Sequence, residues 1–541
     1  MHEEEIIVVV SAKVAFRYFS YCLNNVALPP PSSRPAVAGT PTQAMTCSAF
    51  PTPAALPTRR LSEHFADADQ WTHRQFGAVQ LGDRRRTRRV ETLVAAWARH
   101  PGASIPQACA GQSYACKAAY YLLAQPHVTP DVLQQPHREQ VRAALQEPGT
   151  FLLLEDTTEV IWPKTGQRRA GLGPVGQGAA ASQGVLLHSV IAARWTAGAE
   201  PASTRRPPVP VLGLLDQQFY LRVPIPATEK ALAYNPYQRR QKRARESDLW
   251  TNSLRQLEAP PTHARWVVVA DRGADIHTHL QYCQQRGLGF VVRSAQDRAL
   301  VDPSSGASAG RLRAQASTWP PCGQFSLPLR TRPGAPKRDV VLQLSFSPLL
   351  ALRAPQRPGF STGRGDPVRC GAVRVWEAGT DGRAPALEWL LLCDQAAQDV
   401  TQALACVQQY ASRWLIEDFH KALKSGVRIE RLQLHTGPRL FAAIALLSVV
   451  ALALVDLREQ VHQMPAQSAE QAGLSETALA VLRRCTAKPL QTGRDVWQAI
   501  AQLGGHLSRV KDRLPGWQTL WKGLMTLRLL VTGFRFAVYS P

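Results

Sequence analysis

The chain has 541 residues, 45% of them hydrophobic, and 63 Lys and Arg stand against 40 Asp and Glu for a formal net charge of +23. That length holds material for roughly three or four domains, the apolar content excludes wholesale disorder, and the excess of positive charge points to a polyanion such as nucleic acid ahead of a membrane surface. The ten cysteines are scattered without CxxC pairs or His partners, which argues against a zinc site and a disulfide framework and for a reducing cytoplasm.

Residues 1–60 do not read as a domain. Ile6–Val10 is apolar but short and follows Glu3, Glu4 and Glu5, so it lacks the basic start of a signal peptide. Pro29–Pro31 and a mixture of Pro, Ala, Ser and Thr up to Pro57 give a composition that cannot bury enough surface to order itself. Met45 lies inside this leader and is expected to be the true start. From Leu61 the character changes, and Leu81–Val90 packs five arginines into the six positions 84–89 ahead of a helical pattern through Leu93, Val94 and Trp97. Such a run is either a solvated face or a phosphate-binding surface.

Phe151–Leu154 is an apolar run ending in acid at Glu155 and Asp156, the pattern of a buried strand that delivers a carboxylate to the edge of a sheet. Gly166–Gly184 reads as a loop whose glycines do not have phosphate-cradling spacing. Val185–Ala193, with His188, and Val209–Leu215 are expected strands, and Tyr237–Arg245 reads as a basic helix end. Arg265–Ala270 repeats the strand logic and ends in Asp271; a helix His277–Arg286 and a strand Phe290–Ser294 follow. Residues 297–388 are rich in Pro, Gly and Arg with short alternating runs such as Val340–Leu344, which predicts a small β-rich insertion. Leu387–Leu392, with Trp389, returns to core strand. Leu440–Val455 has about 16 residues without a charge, short of the roughly 18 of a spanning helix, and is expected to be buried core, so no membrane segment is assigned. The carboxy-terminal stretch, with Trp497, Trp517 and Trp521, is expected to be helical.

Tyr410–Lys424 has no internal Gly or Pro and ends at Ser425-Gly426, so it reads as one helix. At about 100° per residue, Arg413, Glu417 and Lys424 fall within about 60° of Tyr410, while Leu415 and Phe419 lie opposite. One reading is a salt-bridged surface helix; the other is a face that holds a metal ion and grips an anionic polymer. A lone acid at a strand end is usually a cap or turn residue, but three acids in matching contexts point to a shared site.

The spacing Y-x2-R-x3-E-x6-K met by Tyr410, Arg413, Glu417 and Lys424 resembles the signature of DDE transposases of the insertion-sequence-four family. So do LGDxRRTxR at Leu81–Arg89, Pro101–Ile105, Ala118–Tyr121, the DRxADI pattern at Asp271–Ile276 and FVVRS at Phe290–Ser294, although Gly273 stands where a family member has Glu. The resemblance implies an α/β, ribonuclease H-like catalytic core in which Asp156, Asp271 and Glu417 are catalytic and hold two ions about 3.5–4 Å apart. Hard oxygen donors favour Mg2+, with Mn2+ as a substitute. It further implies DNA contacts by Arg85, Arg86, Arg89, Arg293, Tyr410, Arg413, Lys421 and Lys424, and a Trp389 that receives a flipped base.

The expected organisation is a leader (1–60), a helical DNA-binding domain (61–148), the catalytic core in two parts (149–296 and 389–456) around the insertion (297–388), and a helical domain (457–541) that implies a homodimer. The implied activity is cut-and-paste transposition through a hairpin, acting on double-stranded transposon ends and target DNA. A non-catalytic DNA-binding protein and a structure-specific nuclease are the rival readings. A protein started at Met45 is expected to bind and cleave DNA as well as the full chain, which a side-by-side gel-shift and cleavage assay checks; a large loss would give the leader a role.

Overall fold

Runs of leucine and β-branched residues build the middle of the molecule. The computed structural model describes residues 68–162, 169–176, 182–196, 209–223, 244–329, 338–355, 365–377, 387–463, 468–472, 474–509 and 515–539. The leader with Met45, part of the glycine-rich loop and most of the basic Tyr237–Arg245 stretch lie outside these residues.

Strands β1 (Gly149–Trp162), β3 (Ser182–Trp195) and β4 (Val211–Tyr220) form an antiparallel meander, with the short β2 (Gly173–Val175) on the margin of β3. β5 (Ala264–Ala270) runs parallel to β1 in the register Gly149↔Ala264 to Glu155↔Ala270, and β6 (Gly289–Arg293) runs parallel to β5. The order β4-β3-β1-β5-β6 is the mixed sheet expected of a ribonuclease H-like core. β1 and β5 are apolar on both faces because both faces are covered. Leu152, Leu154, Val267 and Val269 join one core, while Phe151, Leu153, Val268 and Ala270 join the other.

The insertion is β-rich as expected, yet it continues the main sheet. β13 (Glu388–Cys393) pairs with β6, β12 (Val368–Glu377) pairs with β13, and β7 (Ala299–Val301), β8 (Ser308–Arg311), β9 (Gly323–Leu329), β10 (Arg338–Phe346) and β11 (Leu350–Leu352) complete thirteen strands among the described residues. One short helix, Leu312–Thr318, interrupts this series.

Among the described residues four longer helices, α1 (Ala68–Phe76), α2 (Arg84–Arg99), α3 (Ser113–Leu123) and α4 (Pro130–Leu145), and the single helical turn Ile105–Ala108 precede the sheet. The arginine run forms the first turns of α2 itself, capped by Asp83, whose side chain accepts from the Arg85 amide. This cap satisfies an amide that would otherwise lack a partner. Val90, Leu93, Val94 and Trp97 bury the opposite face. That face shares one apolar cluster with Leu152 and Leu154 of β1 and with the long helix α9 (Gly437–Gln463); α5 to α8 are placed below with the site. The 23-residue stretch Gly437–Glu459 is long enough to cross a membrane, so the length argument made from sequence does not hold; its most apolar window has a mean hydropathy of 2.6 and is 83% buried inside the protein. It is the axis of the core.

Helices α10 (Glu476–Cys485), α11 (Gly493–Leu503) and α12 (Trp517–Tyr539) pack round a separate cluster that includes Trp497, Ile500, Leu520 and Leu524. α11 and α12 meet so closely at Gly523 that a Cβ there would overlap the Ile500 carbonyl.

Burial holds three imidazoles neutral. His188 is pushed down to about 3, by burial first and then by His279 and His420; His420 is also pushed to about 3, by burial, Lys424 and Arg413; burial alone takes His279 to about 4. A folded value below the unfolded one near 6.5 gives stability that is present above about pH 6.5 and is lost as pH falls toward the folded value. Between pH 7 and pH 5, His279→Gln is expected to lose about 1–2 kcal/mol less stability than the parent chain, read from urea unfolding at the two pH values. Equal losses would show that His279 is not held neutral.

Candidate active site

Parallel pairing of β1 and β5 stops at Glu155↔Ala270, so the next residues, Asp156 and Asp271, stand side by side on adjacent strands. Neighbouring strands lie about 4.8 Å apart. Strand alternation puts both carboxylates on the side of Leu154 and Val269, beneath the helices of the larger core. Asp271 directly follows its strand, as expected. Asp156 does not end one: β1 runs on to Trp162, paired with β3 as far as Gln183, because Val160 and Trp162 still have a core to enter. The Asp271 carboxylate also caps the single turn Arg272–Ala274, accepting from the Gly273 amide at 2.7 Å. A Cβ on residue 273 would lie 2.7 Å from the Trp250 ring and 3.0 Å from the Asp271 carboxylate, so this chain has a local steric reason for glycine at the position where it departs from the family pattern.

The third acid comes from above. Tyr410–Lys424 is not one helix: α7 (Val400–Ser412) ends at Arg413, α8 (Trp414–Lys421) follows, and Ala422–Gly426 winds into a π turn. Arg413 keeps helical angles, φ −53 and ψ −25, so the Tyr410, Arg413 and Glu417 face stays continuous. That face looks inward. Tyr410 is 1% exposed, and the Arg413 side chain is 7% exposed, against 17% for Asp156 and 22% for Glu417. Arg413 Nη1 donates to Asp156 Oδ2 at 2.9 Å and Nη2 donates to Glu417 Oε1. The surface salt-bridge reading therefore fails, since these pairs are largely closed to water, where removing one partner costs about 3–5 kcal/mol. Asp418 anchors α8 from its other side through Arg458 of α9, which also pairs with Glu459.

Charge at the site is tightly coupled. Burial raises the Asp271 carboxyl above the usual aspartate range, and the neighbouring Asp156 charge adds to this against Arg413, the Gly273 amide and Arg293. Burial works against the Arg413 charge, but Tyr410, Asp156, Glu417 and Asp271 more than offset it and hold the guanidinium charged. Burial also raises the Tyr410 phenol and lowers Arg293. Arg293 is 9% exposed, donates to the Glu388 carbonyl at 3.1 Å and bonds to Tyr410, so it supports Tyr410 from inside and has little surface for DNA. Trp389 is 0% exposed, its ring centroid 6.5 Å from that of Tyr410. It offers no open face to a base in this conformation. Lys421 and Lys424 are half-buried on the last turn of α8 and on the π turn. Among the described residues, no three His, Cys, Asp or Glu side chains converge closely enough to hold a metal ion, and the guanidinium of Arg413 lies between Asp156 and Glu417.

The amino-terminal arginines differ among themselves. Arg84, Arg85 and Arg88 are exposed, whereas Arg86 donates to the Leu81 carbonyl at 3.1 Å and lies 2.8 Å from His127 Nε2. Arg89 is half-buried, 5.7 Å above the ring of Tyr114, which is 79% exposed; Tyr121, also on α3, is 67% exposed. Cations and aromatic rings thus share one surface of α2 and α3. The Pro101–Ile105 motif links this unit to the site, for Gly102 has φ +84 and a Cβ there would come within 2.8 Å of the Gly426 carbonyl in the π turn. Ser104 and Gln107 complete a capping box beside it.

Several residues that hold the site escaped the sequence reading. Asp275 accepts from the Ala295 and Gln296 amides at 2.7 and 2.8 Å and from Arg298 Nε at 2.8 Å, tying the end of β6 to the start of α6 (His277–Gln285). Glu155 is fully buried on the opposite side of β1 from Asp156 and accepts from Ser253 of α5 (Leu249–Arg255) at 3.1 Å; burial holds its carboxyl well above the usual range. Strict strand alternation at Glu155-Asp156 was the signal that could have separated a structural acid from a site acid.

Residues 68–128, which span α1 to α3 and the exposed arginines and tyrosines, match a family model described as transposase DNA-binding. The match supports a transposase, with DNA as its partner.

Proposed function

We propose that the chain is a DDE transposase of the insertion-sequence-four type, which cuts DNA at transposon ends and joins those ends to a target. The observation that carries this reading is the meeting of Asp156 and Asp271 on adjacent strands with Glu417 above them, linked through Arg413. Each acid comes from a different element, and all three offer hard carboxylate oxygens, the donor chemistry that suits Mg2+ or Mn2+, although Arg413 stands between Asp156 and Glu417 in this structure. Bound there, a divalent ion would supply Lewis acidity and an activated water or 3′-hydroxyl.

The protein's own groups have separable tasks in this reading. Arg84, Arg85 and Arg88 neutralise phosphates and set the register of the duplex, while Tyr114 and Tyr121 flank the same surface. Lys421, Lys424 and Arg413 bring further cations to the strand that is cut. Tyr410, supported by Arg293, orients Arg413. The apolar Leu529 and Phe536, exposed on α12, suit the homodimer contacts of a synaptic complex acting on DNA in the cytoplasm.

Asp156→Ala, Asp271→Ala and Glu417→Ala are each expected to abolish Mg2+-dependent joining of a labelled transposon end to plasmid while leaving end binding within a few-fold, because affinity rests on phosphate contacts elsewhere. Cleavage that survives one of these changes removes that acid from the site. For the parent chain, binding without cleavage leaves a non-catalytic DNA-binding protein, and cleavage without joining leaves a nuclease. Arg85→Ala is expected to weaken duplex binding and to make the salt dependence shallower by about one phosphate contact at unchanged Tm, whereas Arg86→Ala, which loses the Leu81 and His127 contacts, lowers Tm.

A further inference from the structure

We infer that Arg413 is an internal counter-ion that occupies the place of the metal until DNA arrives; the inference rests on the metal-dependent reading above and concerns how the site is kept closed. The guanidinium fork reaches two carboxylates from different elements, Asp156 on β1 and Glu417 on α8, one through each terminal nitrogen. A planar fork presents a separate terminal nitrogen to each acid in a fixed geometry, which the single nitrogen of an ammonium does not. The fork lies between two of the three carboxylates that would hold an ion.

Charge balance gives the same answer. Asp156, Asp271 and Glu417 face two guanidinium groups, Arg413 and Arg293, and with Lys424 near by the charges of the site are close to balanced. The half-buried Lys424 ammonium lies close enough to depress His420 and adds to the positive side. A divalent ion entering with Arg413 in place would leave the site with an excess of positive charge in a region poor in water, where uncompensated charge is strongly disfavoured. A DNA phosphate resolves the conflict by taking over the guanidinium as a bidentate partner and freeing both acids for the ion. Metal and DNA then bind with positive coupling, and the protein without DNA is protected from cutting unselectively.

The test uses the full chain and Mn2+ alone, followed by electron paramagnetic resonance and by the Mn2+-induced rise in Tm. Without DNA, Arg413→Met is expected to bind Mn2+ at least about tenfold more tightly than the parent chain, and adding Glu417→Gln is expected to cancel the gain. A short random-sequence duplex at low salt is expected to tighten Mn2+ binding to the parent chain and to leave Arg413→Met unchanged. Equal Mn2+ affinity of the two proteins without DNA, or a duplex that leaves the parent unchanged, overturns the counter-ion role. If neither protein binds Mn2+ with or without duplex, the metal-dependent reading itself fails. Should circular dichroism show Arg413→Met to be unfolded, Arg413→Gln carries the same comparison, because it keeps a polar side chain at the position but no positive charge; a gain in Mn2+ affinity supports the role and no gain overturns it.

Discussion

One buried guanidinium joins the two halves of the site. Arg413 ties the central strand β1 to the helix that carries Glu417, and much of the surrounding structure holds that contact in place. Arg458 anchors α8 to α9 from the far side through Asp418, the Ile161 amide of β1 donates to Glu430 just beyond the π turn, and Tyr410 packs between Arg413, Arg293 and Trp389. A buried charge of this kind is tolerated only when its partners are fixed, because desolvation costs it more than a loose pair returns. The rigidity of the sheet beneath is therefore a condition of the site. Asp156 and Asp271 are set by strand register, since a slip of one residue would exchange the side chains that β1 and β5 send into two differently packed cores and would put Glu155 in the place of Asp156.

Much of this was legible in the sequence, for identifiable reasons. β1, β5 and β6 announce themselves as apolar runs because a parallel strand buried on both faces has no polar alternation to hide it, and an acid at the end of such a run stands out. The face of Tyr410, Arg413 and Glu417 followed from helical spacing alone. Its direction did not: periodicity says which residues share a face and not whether that face meets water or a sheet, and the partner of Arg413 on β1 is 257 residues away in the chain. The same limit affected Trp389, which the apolar run puts in a core strand and the resemblance makes a platform for a flipped base; local pattern could not choose between the two, and the ring is buried. Local pattern also could not divide the arginines of α2, since Arg86 is claimed by the Leu81 carbonyl and His127 while Arg85 is left at the surface.

The length of the insertion was visible and its architecture was not. Short alternating runs between Pro and Gly predict strands, but only pairing of β13 with β6 and of β12 with β13 shows that they extend the main sheet. The segment between Asp271 and Glu417 thereby stiffens the edge next to β6, where Arg293 and Trp389 support Tyr410.

The close approach of Gly102 to the Gly426 carbonyl bears on how such a protein could change its specificity. The helices of residues 68–128 are not a detachable cassette: Trp71, Leu93 and Trp97 share one apolar cluster with Leu152 of the sheet and with α9, and their connecting turn abuts the π turn that follows Glu417. Replacing that block with a foreign DNA-binding unit would cut through the core and unseat the helix that carries the third acid. New recognition would have to arise by substitution on the outer surface of α2 and α3, with the inner face held constant.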